Sequence, residues 1–120
     1  MIPYVAQGVT DTNLYKNNNA KIIVDLIGEQ YAVSDISVDW MYQKTKIAKR
    51  EIASIFKTQF NTSFKEYLNL IRLTESKRLL KETNLSVSEI AYKVGYNNIT
   101  HFNRVFKEKN GISPTEFREQ

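Results

Sequence analysis

The chain carries one passage twice. Set against itself at a shift of 49 residues, the sequence places Ile36-Ser37-Val38 on Leu85-Ser86-Val87, Met41 on Ile90 and Lys44 on Lys93. Past the middle of each copy the shift becomes 50. Ile52 then falls on Phe102, Ile55 on Val105, Phe56-Lys57 on Phe106-Lys107, Ser63 on Ser113, Glu66 on Glu116 and Tyr67 on Phe117. Apolar positions coincide by chance in any two helical segments, but caps, turn and Phe-Lys pairs do not coincide together. Whatever one copy folds into, the other must fold into as well. A length of 120 residues, 42% of them hydrophobic, is enough for one core or two small coupled ones and too short for two large independent domains, so one compact unit is the default expectation.

The period of the apolar residues makes the repeated element helical. Ile22-Ile23 and Leu26-Ile27 recur four apart, which lays one buried stripe along a helix from Asn19 to Tyr31. Hydroxyl residues followed three positions later by Glu mark helix starts at Ser63 with Glu66, Ser86 with Glu89, and Ser113 with Glu116. Apolar staples reinforce the last two, Leu85 with Ile90 and Ile112 with Phe117, and Pro114 takes the favoured first helical position. Between these marks the pattern predicts helices Val38 to Lys44, Lys49 to Gln59, Phe64 to Glu82, Val87 to Val94 and Asn98 to Lys109, and a last short one from Pro114. Gly95 supplies the turn after the fifth helix, Tyr96 plugs the core, and Asn97 is the expected cap of the helix that follows. With only four Gly and two Pro, the fold expected is all-α: seven helices, two helix-turn-helix subdomains joined by a long central helix, a homeodomain-like tandem. Residues 1 to 18 read as an N-terminal tail or linker. Residues 19 to 120 read as one module, with the first helix-turn-helix at about 36–60, the connector helix at about 63–82 and the second helix-turn-helix at about 86–109.

A helix-turn-helix lays its second helix in the major groove of DNA, so the outward faces of those helices are the candidate site. In the first unit that face offers Lys49, Arg50, Ala53 and Ser54, and in the second Ile99, Thr100, Asn103 and Arg104. Arg donates two bonds to guanine, Asn pairs with adenine, and Thr, Ala or Ile meets the thymine methyl. Lys57, Lys107, His101 and Arg78 are the candidate phosphate contacts. Arg72, also on the connector, is open to two roles, a phosphate contact or a brace for the core through its stem. The charge distribution agrees, because residues 44–81 hold ten Lys or Arg against three acids, whereas residues 1–43 are acidic and residues 82–120 balanced. A connector of about nineteen residues spans roughly 29 Å, close to the ~34 Å of one DNA turn, so two such helices would enter successive grooves without a dimer.

The same residues exclude other classes. With no cysteine and one histidine, neither a disulfide framework nor a metal site is expected, and no cofactor. The carboxylates are spent largely in caps and no nucleophile stands beside a base, so no enzyme is expected. Apolar runs such as Ile22-Ile23-Val24 are too short for a membrane, and the start Met1-Ile2-Pro3-Tyr4 lacks a signal pattern, which gives a cytoplasmic expectation. The competing reading is a helical protein-interaction module gripping an acidic partner.

The run Ser86-Val87-Ser88-Glu89-Ile90-Ala91, then Val94-Gly95-Tyr96, Phe102, Phe106-Lys107, Gly111, Ser113-Pro114 and Phe117-Arg118 resembles the C-terminal signature of bacterial AraC/XylS-type transcription regulators. The resemblance runs from about Ala20 to Arg118 and includes the connector stretch Tyr67-Leu68, Arg72, Leu79-Leu80. It implies seven helices carrying two helix-turn-helix units that bind double-stranded promoter DNA to activate or repress transcription. It also implies base-facing roles for Arg50, Ala53, Ser54, Thr100, Asn103 and Arg104, RNA polymerase as a candidate protein partner, and a sensing or receiver domain in a longer parent chain. No such domain fits in residues 1 to 18, so the chain is either a fragment or a stand-alone member. The first unit departs from the pattern: Tyr42 stands where a small Ala is usual, Lys46 where the turn often has Gly, and Ala48 lacks a capping hydroxyl, although Glu51 and the Ile47–Ile52 staple remain.

Overall fold

The computed structural model describes residues 18–120, so the tail or linker expected at residues 1 to 18 lies, Asn18 apart, outside the described residues. Among those residues are seven helices and no strand: α1 (Asn18–Gln30), α2 (Val38–Thr45), α3 (Lys49–Gln59), α4 (Phe64–Glu82), α5 (Val87–Lys93), α6 (Ile99–Asn110) and α7 (Pro114–Glu119). No expected boundary moves by more than one residue.

Side-chain chemistry sets most of the starts. Ser37 Oγ accepts from the Trp40 amide at 3.0 Å to open α2, and Ser63 Oγ accepts from the Glu66 amide at 3.1 Å to open α4. At α5 and α7 the bonds are reciprocal, with Glu89 and Glu116 reaching back to the amides of Ser86 and Ser113, each at 2.9 Å. The cap of α6 corrects the sequence reading by one residue. Asn98, not Asn97, accepts from the His101 amide at 2.9 Å, because the Tyr96 amide is still tied back to Ala91 and the chain needs a further extended step before a helix can open.

Every left-handed residue that the described backbone contains belongs to the repeat. Lys46 (φ 62°) and Gly95 (φ 112°) are one pair, and Asn61 (φ 53°) and Gly111 (φ 82°) are the other. They differ by the two shifts of the sequence alignment, 49 and 50. Gly95 closes α5 in a Schellman motif, donating to the Tyr92 carbonyl at 3.1 Å while Tyr96 donates to Ala91 at 3.0 Å. Lys46 closes α2 with a single bond to the Tyr42 carbonyl at 2.7 Å, the simpler left-handed cap. There the Thr45 hydroxyl fills in, accepting from the Ile47 amide at 3.1 Å and donating to the Met41 carbonyl at 2.7 Å.

The chain divides into two compact units, residues 18–31 with 35–71 and residues 32–34 with 72–120. In the first, Ala20, Ile23, Val24 and Ile27 of α1 are buried with Met41, Ile52, Ile55 and Phe56 and with Tyr67, Leu68 and Ile71 from the first half of α4. The Phe56 ring is the hub, its centroid 5.3 Å from Tyr67, 5.7 Å from Phe64 and 5.8 Å from Phe60. In the second, an aromatic file runs from Tyr96 to Phe102, Phe106 and Phe117 at 5.3, 5.8 and 5.7 Å, and Leu73, Leu79, Leu80, Ile90 and Val105 are buried in the same unit. Burying one such ring contributes about 1.5–3 kcal/mol.

Of the two roles open to Arg72, the structure adopts the brace. Its side chain is buried, a guanidinium N–H donates to the Val33 carbonyl at 2.8 Å, and the group lies over the Tyr96 ring at 5.4 Å. Burial pulls its pKa down and pushes the Tyr96 phenol up to about 12. Arg118 makes a second brace, donating to the carbonyls of Leu80, Thr83 and Leu85 and so tying α7 to the end of α4.

Candidate nucleic-acid interface

The inner faces of α3 and α6 are fixed first, and the outer faces follow. On α3, Ile52, Ile55 and Phe56 are buried, which at 3.6 residues per turn turns Lys49, Arg50, Ala53, Ser54 and Lys57 outward as one stripe, all exposed. On α6, Phe102, Val105 and Phe106 are buried and Thr100, Asn103, Arg104 and Lys107 are exposed in the equivalent stripe, while Ile99 and His101 are half-buried at its edge. Within each unit the structure therefore brings together the residues that the sequence put on one helix face. The exception is Arg78, which stands on α4 rather than on either stripe.

Local electrostatics distinguish these side chains. Lys49 Nζ lies 2.7 Å from the Asp39 carboxylate of α2, and that bond holds the ammonium pKa above its usual value. Arg104 donates from Nη2 to His101 Nδ1 at 2.8 Å, and its Nη1 lies 3.7 Å from Glu108. The Arg78 guanidinium is shared between Glu75 and Glu82, which raises its pKa and lowers that of Glu75. A phosphate at Arg78 would have to displace those carboxylates, which as exposed, solvent-screened partners hold it only weakly. Lys81, another connector cation, turns to α7, with Nζ 5.0 Å above the Phe117 ring and 2.9 Å from the Gln120 carbonyl.

The sequence reading missed two of these contacts. Lys49 and Asp39 are ten residues apart on different helices, and nothing local in the sequence signals the pairing. His101 and Arg104 are three apart on one helix, a spacing at which side chains meet, and that signal was available. The start of α3 shows how the missing hydroxyl at Ala48 is offset: no side chain caps the helix, and Glu51 instead accepts from Asn19 Nδ2 of α1 at 2.8 Å.

Two short-helix, turn, longer-helix units in one chain, each turning a polar stripe outward from a packed second helix, define a tandem helix-turn-helix module. Comparison with known proteins gives the family. Residues 41–120 match the family described as a helix-turn-helix domain. The chain is 30% identical over 119 residues to the Msm operon regulatory protein of Streptococcus mutans, an alignment covering 99% of this chain and 41% of that protein. The C-terminal domain of the two-component response regulator yesN from Fusobacterium nucleatum superimposes with a TM-score of 0.80 at 29% identity, over 85% of this chain and 99% of that one. The DNA-binding domain of AdpA, solved with a target DNA, shares the fold with a TM-score of 0.79 at 19% identity, over 86% and 92%. The chain belongs to the AraC-type helix-turn-helix family of DNA-binding transcription regulators.

Proposed function

We propose that this chain is the DNA-reading module of a regulator, inserting α3 and α6 into successive major grooves of promoter DNA. The observation that carries the proposal is the duplicated stripe: at positions 50 residues apart, two helices backed by buried aromatic cores turn groove-suited side chains to solvent. Lys49, Arg50, Ala53 and Ser54 read bases from α3, and Ile99, Thr100, Asn103 and Arg104 from α6. Lys57, Lys107, His101 and Arg78 meet phosphates, which fix register without carrying sequence information.

Membership of the family supports the rest of the functional reading. The module works without catalysis, in the cytoplasm, in a longer chain whose other part senses a signal or receives a phosphoryl group, and RNA polymerase is its protein partner at the promoter. The 41% share of the Msm protein that the chain spans supports the longer parent. No helix among the described residues is long and apolar enough to cross a membrane.

Selection of bound duplexes from a randomised pool tests the core of this. Arg104→Ala should then weaken binding to the selected site by about 1–3 kcal/mol and relax preference at one base pair. Lys57→Ala should weaken binding to every sequence alike and flatten the salt dependence. Equal losses on selected and random duplexes for Arg104→Ala would remove base reading from α6.

A further inference from the structure

Arg104 is held from both sides along its own helix. Its Nη2 lies 2.8 Å from His101 Nδ1 and its Nη1 3.7 Å from the Glu108 carboxylate. A guanidinium has donors and no acceptor, so the first contact runs one way, with Arg104 donating and Nδ1 accepting. Nδ1 accepts only in the neutral imidazole that carries its proton on Nε2. The ring itself is anchored. It is half-buried in an edge-type contact with Tyr96, the centroids 5.6 Å apart at 60°, and the His101 amide is held by the Asn98 cap. An anchored acceptor restricts a side chain that would otherwise sample many rotamers.

We infer that His101 is a positioning residue for base reading, holding Arg104 toward the groove while the imidazole is neutral and releasing it when the ring is protonated. This rests on the proposed role of α6 and adds a regulation to it. The groups facing the ring include Arg104, with Glu108 further along α6, and Tyr96 from the preceding turn, whose own ring is in contact with Arg72. Protonation removes the lone pair that Arg104 uses and sets two cations a hydrogen bond apart. Glu108 then remains as the partner on α6 and draws the guanidinium along the helix. The same proton adds a positive charge near the phosphates, which strengthens attraction to any duplex. As pH falls, discrimination drops while general affinity rises. Neither a plain phosphate contact nor a purely structural histidine gives that opposition of signs. Imidazoles titrate between about pH 5 and 8, and His101 is the single histidine of the chain.

The experiment compares affinity for the selected duplex with that for a duplex altered at the base pair assigned to Arg104, at about pH 8 and about pH 5.5. In the native chain the ratio should fall by about three- to tenfold at the lower pH. His101→Gln keeps an acceptor that does not titrate and should hold the ratio high at both values. His101→Phe keeps a ring against Tyr96 without an acceptor and should hold it low at both. A native ratio that ignores pH, or native discrimination by His101→Phe, overturns the inference. If Arg104→Ala relaxes no base pair, the reading of α6 itself fails. Nitrogen-15 NMR of the free chain judges the pair independently: the imidazole should be protonated at Nε2 and bare at Nδ1, and the opposite tautomer would contradict the positioning role.

Discussion

The first and second helix-turn-helix units follow one backbone path and secure it by different means. In the second, the path is set locally: Gly95 takes the left-handed position without a Cβ to strain it, Ala91 is fully buried against its neighbours, and Asn98 caps the next helix. In the first, Lys46 stands in the left-handed region at a cost of about 1–2 kcal/mol. Tyr42, in the place of Ala91, lies outward with the Lys46 ammonium 5.5 Å above its ring. Ala48 caps nothing, and the helix start is held instead by Asn19 on Glu51 and by Asp39 on Lys49. Equivalent geometry thus arises once from short-range chemistry and once from contacts with α1 and α2. The orientation of α3 accordingly depends on α1 in a way that the orientation of α6 does not.

Substitutions at equivalent positions of the two units probe that contrast. The largest effects should be the least different: Phe56→Ala and Phe106→Ala remove equivalent hubs and should each cost about 3–5 kcal/mol in denaturant unfolding. A clearly unequal pair would show that the two cores are not energetic counterparts. Next come the turns. Gly95→Val forces a β-branched residue to a φ of 112° and should cost about 2–3 kcal/mol, whereas Lys46→Gly should stabilise by about 0.5–1 kcal/mol. The same sign for both would mean that the turns are not equivalent. The caps come third: Asn98→Ala should lose about 1 kcal/mol and Ala48→Ser should gain somewhat less, read as shifts in the unfolding midpoint.

The smallest effect is one of pH and belongs to the second unit. Bonds from the Ser86 and Ser113 amides hold the Glu89 and Glu116 carboxyls below their ordinary range. A carboxyl depressed in the folded state stabilises above its unfolded value of about 4.3, and the contribution is lost as pH falls through the lower folded value. Glu116→Gln should therefore melt below the native chain at about pH 6 and together with it at about pH 3. A gap that persists in acid would assign the effect to packing instead.

Much of this was legible in the sequence for a physical reason. Caps and apolar periods act over three or four residues, so Ser86, Ser113 and the Phe56 and Phe106 positions marked their elements directly. The outward stripes on α3 and α6 followed from the same period. Side-chain partners set by tertiary contact were not legible. Asn19 reaches Glu51 across 32 residues, and Arg72 reaches Val33 across 39, distances over which no spacing rule operates. The left-handed pair Asn61 and Gly111 lies within the repeat but is hidden there, because Asn and Gly share a tolerance of positive φ and not a letter.

Under the proposed function, two helices of one chain read two stretches of duplex. Hydroxyl-radical footprinting on the selected site, with Arg50→Ala and Arg104→Ala as markers of α3 and α6, puts this to the test. Two protected segments about 10 base pairs apart, each weakened by one of the two substitutions, is the expected result. A single protected segment, or two substitutions that weaken the same base pairs, would contradict it.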